Sequence, residues 1–520
     1  MRFISTSDGS CIAFHDSLTV EQLQRQVDVL IETQVDTLCY TIGLPGAYEY
    51  DTKVGTRFGQ GIEKMGNATD WQVKENLESL LRQGTDPFRV VLERGLEKGL
   101  KVYPDIRVYD CQTGIDLDPM NRAHPQWRIG EHARHGPAAL LYGERVTKEY
   151  HNENYTWQLD FAHPQVRQRT IDIAEEILTR YEVEGLQLDF ERRPHFFRPD
   201  AAVENRHLMT DMLRAIRHRA RHAEGKRDRP VEVLCRVWAN LEDCWHLGLD
   251  VRTWVEEGLI DLIIPTHHIC FAIDAPIEEF VELAKDRPVD VLMSYCPMID
   301  WPRGSAVSHR PDQEPVIAGV PWNALNPAYM ITAEMWHAGA QMAYAKGLDG
   351  LSTFNLNPAE FAEGYDLNFL NEIADPNTVA GHDKLYPFIT GESANRSHLL
   401  GAEPVNFDLY VADTPADIES MILEVHIDEV THRDRLGFTL NGEILPMKLR
   451  TCAAGGVTSI GYGPKRHRFF AVELTQLRVQ TGPAQLGIRV VQRNPQLASP
   501  LMVRGVNIRV RGRGNLPGRE

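Results

Sequence analysis

The sequence predicts an α/β protein in which a (β/α)8 barrel is followed by an antiparallel β-sandwich. Up to about residue 375, eight short apolar runs alternate with amphipathic segments, as eight β-α repeats require. Several of these runs are apolar nearly throughout, which is typical of parallel strands buried on both faces. The GxGxxG fingerprint of a dinucleotide-binding doubly wound sheet does not occur. We therefore place the barrel at residues 1–378, the sandwich at 379–510 and a disordered tail at 511–520.

The barrel elements follow from local patterns. The predicted strands cover residues 11–14, 35–43, 100–108, 185–190, 231–239, 259–268, 289–297 and 347–357. Between them, Thr19-x-x-Gln22 has the form of a capping box that opens a helix. The phrase "HPQVRQRTIDIAEEILTRYEV" predicts a second helix with an apolar face. The helix in "TAEMWHAGAQMAYAKG" should end before Gly347, since glycine favours the left-handed conformation after a helix.

The hydrophobic pattern of the C-terminal third is different. Runs such as "MILEVHIDEV" and "QLGIRVVQRN" alternate apolar and polar residues with a period of two. Asn441-Gly442 lies between two such runs and predicts a tight hairpin. These features are typical of an antiparallel β-sandwich.

Charge and hydropathy exclude several function classes. The chain has 55 basic and 73 acidic residues, a formal net charge of -18. We therefore expect no binding to nucleic acid or to anionic membranes, which needs basic patches. No run approaches the roughly 20 apolar residues of a membrane span, and the N-terminus lacks the apolar stretch of a signal peptide. A cytoplasmic or leaderless protein is expected, and homodimerisation is left open.

The cysteines and histidines predict no metal or cofactor. None of the eight cysteines forms a CxxC pair, and most lie in or beside strand-like runs, so we expect buried thiols. The predicted barrel strands contain no HxH or HExxH pattern.

The stretch "GLQLDFERRP" carries the strongest chemical indication. Because alternate side chains of a strand share a face, Asp189 and Glu191 point the same way, into the barrel mouth. Two carboxyls there suit acid–base work in glycoside hydrolysis, or they form a salt-bridged layer that holds strands together. Arg192 and Arg193 follow at once. Their guanidinium groups could bind a substrate carboxylate or pair with the two acids.

Other strand ends and loops carry polar and aromatic residues. Such a ring suits a sugar, whose apolar faces stack and whose hydroxyls need donors and acceptors. The candidates are Asp16, Arg107, His124, Arg128, His132, His135, Trp238, His267, Tyr295 and Asn355.

The run "WQLDFAHPQVRQRTIDIAEEILTRYEVEGLQLDFERRP" resembles a segment shared by several (β/α)8 glycoside hydrolases. More narrowly, the chain resembles glycoside hydrolase family 156, the inverting exo-sialidases. That resemblance implies an Asp after the first strand, a His from the third-strand loop, substrate-binding arginines and an Asn at the eighth strand. Here these correspond to Asp16, one of His124, His132 or His135, the arginines Arg128, Arg192 and Arg193, and Asn355.

Three functions remain open from the sequence. The first is an inverting exo-sialidase, in which Asp16 and a loop His transfer protons and an arginine holds the substrate carboxylate. The second is a glycosidase that uses Asp189 and Glu191 on a neutral or uronic sugar. The third is a non-catalytic carbohydrate-binding barrel.

Overall fold

A computed structural model describes residues 1–110, 117–130, 157–192, 195–267, 271–273, 275–297, 331–360, 366–389, 398–415, 417–453, 466–477 and 479–514. The chain divides into two compact units. The first comprises Met1–Cys270, Ala275–Met330 and Gly347–Ala374, and the second Phe271–Asp274, Ile331–Lys346 and Asp375–Glu520. The predicted barrel boundary at residue 378 stays a prediction.

The first unit contains a closed barrel of parallel strands, as predicted. Around the barrel the order is β1-β10-β9-β8-β7-β6-β5-β2, so the first and last strands of the barrel close it. A two-residue hairpin, β3–β4, follows β2. The strand bounds are β1 Arg2–Ser7, β2 Thr37–Thr41, β3 Gly43–Leu44, β4 Ala47–Tyr48, β5 Lys101–Arg107, β6 Gly185–Asp189, β7 Glu232–Trp238, β8 Leu262–Thr266, β9 Asp290–Tyr295 and β10 Gly350–Phe354.

Helices separate these strands along the chain, and the helices at Ala333–Ala345 and Pro376–Gly381 belong to the second unit. Within the described residues their bounds are α1 Cys11–Phe14, α2 Val20–Asp28, α3 Ala68–Arg82, α4 Pro87–Lys98, α5 Pro119–Ala123, α6 Pro164–Arg180, α7 Ala202–Arg227, α8 Leu241–His246, α9 Val251–Glu256, α10 Glu278–Ala284, α11 Ala333–Ala345 and α12 Pro376–Gly381. Short 3₁₀ turns cover Pro125–Trp127, Pro358–Glu360 and Asn368–Asn371. The capping box of Thr19 and Gln22 is present at the start of α2, which confirms that prediction. Gly347 has φ +85° just beyond α11, also as expected.

One strand was predicted in the wrong place. Residues 11–14 form the helix α1, and the first barrel strand is Arg2–Ser7. The strand "RFISTS" escaped the apolar criterion because half of it is Ser and Thr, although Ser5 is fully buried. The hydroxyl of Ser5 is satisfied within the barrel, since Thr353 Oγ1 donates to Ser5 Oγ at 3.2 Å, whereas Thr6 Oγ1 is buried without a partner among the described residues. The other seven predicted strands each contain a barrel strand.

The barrel interior changes from apolar to polar along its axis. Ile4, Cys39, Tyr103, Leu234 and Leu292 belong to one buried apolar cluster inside the barrel. Two residues further along each strand, the same face carries Thr, Asp, Arg and Ser. The apolar layers therefore fill the lower barrel, and the charged groups lie at the carboxyl ends of the strands.

The second unit contains the predicted β-sandwich. One sheet has the order β11-β19-β13-β17-β16 and the other β12-β18-β14-β15. Asn441 and Gly442 join β14 and β15 with φ of 51° and 85°, the left-handed pair of a tight hairpin turn. The bounds are β11 Lys384–Pro387, β12 Val405–Val411, β13 Ile418–Asp428, β14 Arg435–Leu440, β15 Glu443–Ile444, β16 Lys448–Ala453, β17 Arg466–Glu473, β18 Gly482–Gln492 and β19 Met502–Gly512.

Two further expectations concern thiols and membranes. The cysteines whose side chains the structure describes, Cys11, Cys39, Cys235, Cys244 and Cys296, are buried and unbridged, as expected. Within the described ranges, every helix is too short or too polar to cross a bilayer. Residues 515–520 of the predicted tail lie outside the described ranges.

Candidate active site

A buried ion-pair cluster lies where β6 and β7 end. Arg236 Nη1 donates to Asp189 Oδ2 at 2.7 Å, and Arg236 Nη2 donates to Glu191 Oε2 at 2.6 Å. All three side chains are 0% exposed. The ring of Phe354 lies against the guanidinium, with its centroid 3.5 Å from Cζ. Arg236 therefore bridges the two acids that the sequence placed at the mouth.

Asp189 is further held by the backbone that follows it. Its Oδ1 accepts the N–H of Glu191 at 2.9 Å and the N–H of Arg192 at 3.2 Å. Burial raises the pKa of Asp189 to about 6; Arg236 opposes this, while Asp105 and Glu191 add to it. With both oxygens bonded, Asp189 shapes the turn after β6.

Two further arginines lie at a single carboxylate. Arg107 Nη1 donates to Asp110 Oδ2 at 3.1 Å, and Arg192 Nε lies 3.4 Å from the same oxygen. Burial lowers the pKa of Arg107, but Asp110, Asp8, Asp105 and Asp189 more than compensate, so the net pKa is raised. Arg107 therefore stays charged at the centre of an acidic group. Both arginines thus lie at one carboxylate, and Arg107 still has a donor to offer. Its Nε is buried without a hydrogen-bond partner among the described residues.

Asp8 follows β1 directly and is tied to the end of β10. Its Oδ1 accepts from Ser10 N at 3.1 Å, Ser10 Oγ at 2.5 Å and Asn357 Nδ2 at 3.2 Å. Asn357 in turn accepts from Ser7 Oγ at 2.8 Å. Because these bonds all go to Oδ1, Oδ2 of Asp8 has no hydrogen bond to any described residue. The strands that close the barrel, β1 and β10, thus hold the half-buried carboxyl of Asp8, whose Oδ2 is not hydrogen-bonded to any described residue.

The connection after β2 brings Glu49 to the same end of the barrel. After the β3–β4 hairpin, its backbone N–H donates to Ile42 O at 2.9 Å, which returns the chain to the end of β2. Gly43 has φ +100°, and a Cβ there would lie 2.5 Å from Glu49 N. At Gly9, with φ +73°, a Cβ would lie 2.7 Å from Thr41 O and 3.8 Å from Glu49 Oε2. Glycine at both positions lets the β1 and β2 connections approach closely.

The environment of Glu49 favours its protonated form. Burial raises its pKa to about 8; Arg107 opposes this and Asp8 adds to it. A carboxyl with such a pKa is a proton donor at neutral pH. Glu49, Asp8 and Arg107 therefore form an acid, a second carboxyl and a fixed cation at the ends of β2, β1 and β5.

The structure brings six of the sequence-predicted residues to the ends of the strands. Each is at most 5% exposed: Arg107, Asp189, Glu191, Arg192, Trp238 and Asn355. Asn355 adopts φ +53°, and its Oδ1 is buried without a partner among the described residues. Tyr295 is buried too, but by strand alternation it lies on the face opposite Ser294 and Leu292, away from the barrel interior. His267 follows β8 and is half-buried.

Other candidates lie elsewhere. Asp16 is exposed on a bend after α1, so it does not directly follow the first strand as expected. His124 is half-buried and stacks on Trp127 with centroids 3.8 Å apart. Arg128 donates from Nε to Asn121 Oδ1 and from Nη2 to Asn121 O, both at 2.8 Å. His132, His135 and Arg193 lie outside the described residues.

Two acidic residues were missed by sequence reasoning. Asp8 lies one residue beyond the true first strand, and recognising "RFISTS" as that strand would have identified it. Glu49 carries no comparable local pattern, because it lies eight positions beyond the end of β2, after a hairpin. Only the tertiary fold brings it back to the barrel.

Comparison with known proteins gives only structural matches. No family model matches the chain, and no curated protein matches it. Among solved structures, it is similar to α-L-fucosidase isoenzyme 2 from Paenibacillus thiaminolyticus, with 11% identity and a TM-score of 0.39 over 73% of this chain and 47% of that one. It is also similar to a cell-surface multi-modular chitinase from Paenibacillus, with 10% identity and a TM-score of 0.39 over 97% and 53%. A family 18 N-acetylglucosaminidase from Paenibacillus barengoltzii gives 11% and 0.36 over 69% and 98%.

These structural neighbours are glycoside hydrolases by their descriptions. The chain spans about half the length of the fucosidase and of the chitinase. Because all three TM-scores lie below 0.5, the barrel assignment rests on the strand order itself.

Proposed function

We propose that the protein is a glycoside hydrolase in which Glu49 is the proton donor and Asp8 the second carboxyl. The observation that carries this proposal is the position of Glu49: a carboxyl with a pKa raised to about 8, next to Arg107 and Asp8 at the mouth of a (β/α)8 barrel. In such barrels, groups at the carboxyl ends of the strands perform the chemistry. A neutral carboxylic acid paired with a second carboxyl is what glycosidic cleavage requires.

In this mechanism Glu49 protonates the glycosidic oxygen as the bond from that oxygen to the anomeric carbon breaks. The electron pair of the bond leaves with the oxygen, and positive charge develops on the sugar ring. Asp8 then either attacks the anomeric carbon through Oδ2, forming a glycosyl ester that a water deprotonated by Glu49 hydrolyses in a second step, or takes a proton from a water that attacks the anomeric carbon directly. The first route retains configuration and the second inverts it; they need carboxyl separations of roughly 5–5.5 Å and 6.5–9.5 Å respectively.

Asp189 and Glu191 have a supporting role in this proposal. Both are fully buried and bridged by Arg236, so proton transfer by either would break a charge-assisted hydrogen bond inside the protein. They keep Arg236 and the turn after β6 in place beneath the sugar site. This assignment differs from a glycosidase that uses Asp189 and Glu191 as its catalytic pair.

An uncharged sugar suits the charge of the mouth. The described carboxyls there outnumber the guanidinium groups: Asp8, Glu49, Asp105, Asp110, Asp189 and Glu191 stand beside Arg107, Arg192 and Arg236. The arginines already contact buried carboxylates, so a substrate anion would enter a field of negative sign.

Exo-sialidase activity is the second candidate, and one observation favours it. Arg107 Nε and Asn355 Oδ1 are buried polar atoms that lack partners among the described residues. A donor and an acceptor of this kind could bind the carboxylate and a hydroxyl of a sialic acid. In that version Asp8, which directly follows the first strand, takes the place expected for Asp16, and inversion is expected.

A substrate panel with three variants tests the proposal. Aryl glycosides of neutral sugars and sialyl-lactose are offered to the wild type, Glu49→Gln, Asp8→Asn and the matched control Asp16→Asn. We expect kcat/KM to fall by about 10²–10⁴-fold in the first two variants and to be unchanged in the control. Full activity of Glu49→Gln or Asp8→Asn would refute the assignment.

The identity of the released sugar separates the remaining alternatives. Turnover of neutral glycosides only supports the first candidate, and release of sialic acid with NMR detection of the inverted anomer supports the second. Saturable binding of these glycosides without turnover by the wild type would instead support a carbohydrate-binding barrel.

A further inference from the structure

We propose that Cys11, His15 and Glu360 form a binding site for a divalent metal ion, with Zn²⁺ the best fit, at the seam where the barrel closes. Cys11 is the first residue of α1, and His15 directly follows that helix with an extended backbone. Glu360 comes from the 3₁₀ turn after β10, which pairs with β1. The ligand atoms of all three side chains lie within 4.8 Å of one another. This proposal does not depend on the hydrolase function.

The separation of His15 and Glu360 matches that of two ligands of a tetrahedral ion. His15 Nε2 lies 3.4 Å from Glu360 Oε2 and 3.5 Å from Oε1. With Zn–N and Zn–O bonds near 2.0–2.2 Å, two ligands of a tetrahedron are about 3.4 Å apart. A thiolate, an imidazole and a carboxylate are all ligands that Zn²⁺ accepts, and three protein ligands leave the fourth position open.

Residues next to the three ligands would orient them and support a bound ion. Gln26 Nε2 donates to Glu360 Oε1 at 2.9 Å and orients that carboxylate. The Tyr40 hydroxyl is buried and has no hydrogen-bond partner among the described residues. Burial raises the pKa of Tyr40, and the charges of Cys11, Glu49, Asp8 and Glu360 add to the effect.

Metal binding must release the thiol proton of Cys11 and move the ring proton of His15. Without an ion, Thr19 N–H donates to Gln22 Oε1, so the Gln22 amide nitrogen faces His15 Nδ1 at 2.9 Å. His15 therefore carries its proton on Nε2, which donates toward Glu360. A metal at Nε2 requires that proton to move to Nδ1, the Gln22 amide turns over to accept from Nδ1–H, and the Cys11 thiol loses its proton to solvent and becomes a thiolate. Because one proton leaves, affinity should increase with pH.

The test is a titration of tag-free, chelator-treated protein with Co²⁺ as a spectroscopic substitute for Zn²⁺. We expect one equivalent to give a thiolate-to-cobalt charge-transfer band that excess Zn²⁺ removes. Cys11→Ser should abolish the band, and Glu360→Gln and His15→Ala should each weaken binding by about 100-fold or more. Cys244→Ser, which removes another fully buried thiol of the same unit, should leave the band intact.

Two outcomes would overturn the site. One is absence of a charge-transfer band in the wild type, and the other is a band that persists in Cys11→Ser. If a variant fails to fold, X-ray absorption of the zinc-loaded wild type decides, since the site requires one sulfur among nitrogen and oxygen neighbours. These readouts do not use activity, so failure of the metal site is distinguishable from failure of the proposed function.

Discussion

Replacing Glu49 by Gln should stabilise the protein at alkaline pH. In the folded protein the pKa of Glu49 is raised from 4.5 to about 8. Between these values the folded state holds a proton that the unfolded chain has released, so stability falls as pH rises from 4.5 through 8. At 1.36 kcal/mol for each pH unit the full loss is about 5 kcal/mol, and we expect about 3 kcal/mol because the side chain keeps some contact with solvent.

Urea unfolding of both proteins from pH 4 to pH 9 measures this effect. The stability of Glu49→Gln relative to wild type should rise across that range by about 3 kcal/mol. Glu93→Gln, a change at a side chain 64% exposed on α4, is the matched control and should track the wild type. Parallel curves for Glu49→Gln and wild type would show that Glu49 is ionised at neutral pH and would remove the basis for its proposed role as the acid.

Three further predictions concern the architecture of the mouth. Arg236→Met leaves two fully buried carboxylates without their counter-charge, so urea unfolding should show a loss of about 3–5 kcal/mol; a loss below about 1 kcal/mol would contradict the bridge. Gly43→Ala should displace Glu49 and lower kcat/KM, whereas Gly442→Ala, which has open space around it, should cost about 1 kcal/mol of stability and leave kcat/KM unchanged. Glu176→Gln should loosen the segment after β4, which that carboxylate anchors through Tyr50 OH, Thr52 Oγ1 and the Lys53 N–H, and limited proteolysis should then cut near residue 53 faster than in the wild type.

Much of the fold could be predicted because its determinants are local. The run "GLQLDF" places Leu186, Leu188 and Phe190 on one face with the period of a strand, and Thr19 and Gln22 satisfy each other's backbone within one turn of helix. In these cases the residues that specify the element are also the residues that form it. The first strand differed, since the partner of its buried Ser5 is Thr353 of β10, far away in sequence.

The candidate site was less accessible to sequence reasoning, for a similar reason. Asp189 was recognised because it ends a strand, but its ion pair with Arg236 depends on the parallel register of β6 and β7. Glu49 owes its raised pKa to burial and to Asp8, which lies on another connection. Charge environments are properties of assembled neighbours, so a single strand or loop does not reveal them.

The pairing of β1 with β10 has a consequence for biosynthesis. Ser5 and Thr353 are 348 positions apart, and at roughly 5–20 residues per second their synthesis is separated by about 20–70 s. During that time β1 presents an open edge, a target for unwanted strand pairing. Asp8 also lacks Asn357 until then. The nascent chain should therefore complete the mouth of the barrel only after the final barrel strand has been synthesised. The pairing of β1 with β10 is then the folding step at which a chaperone would be needed.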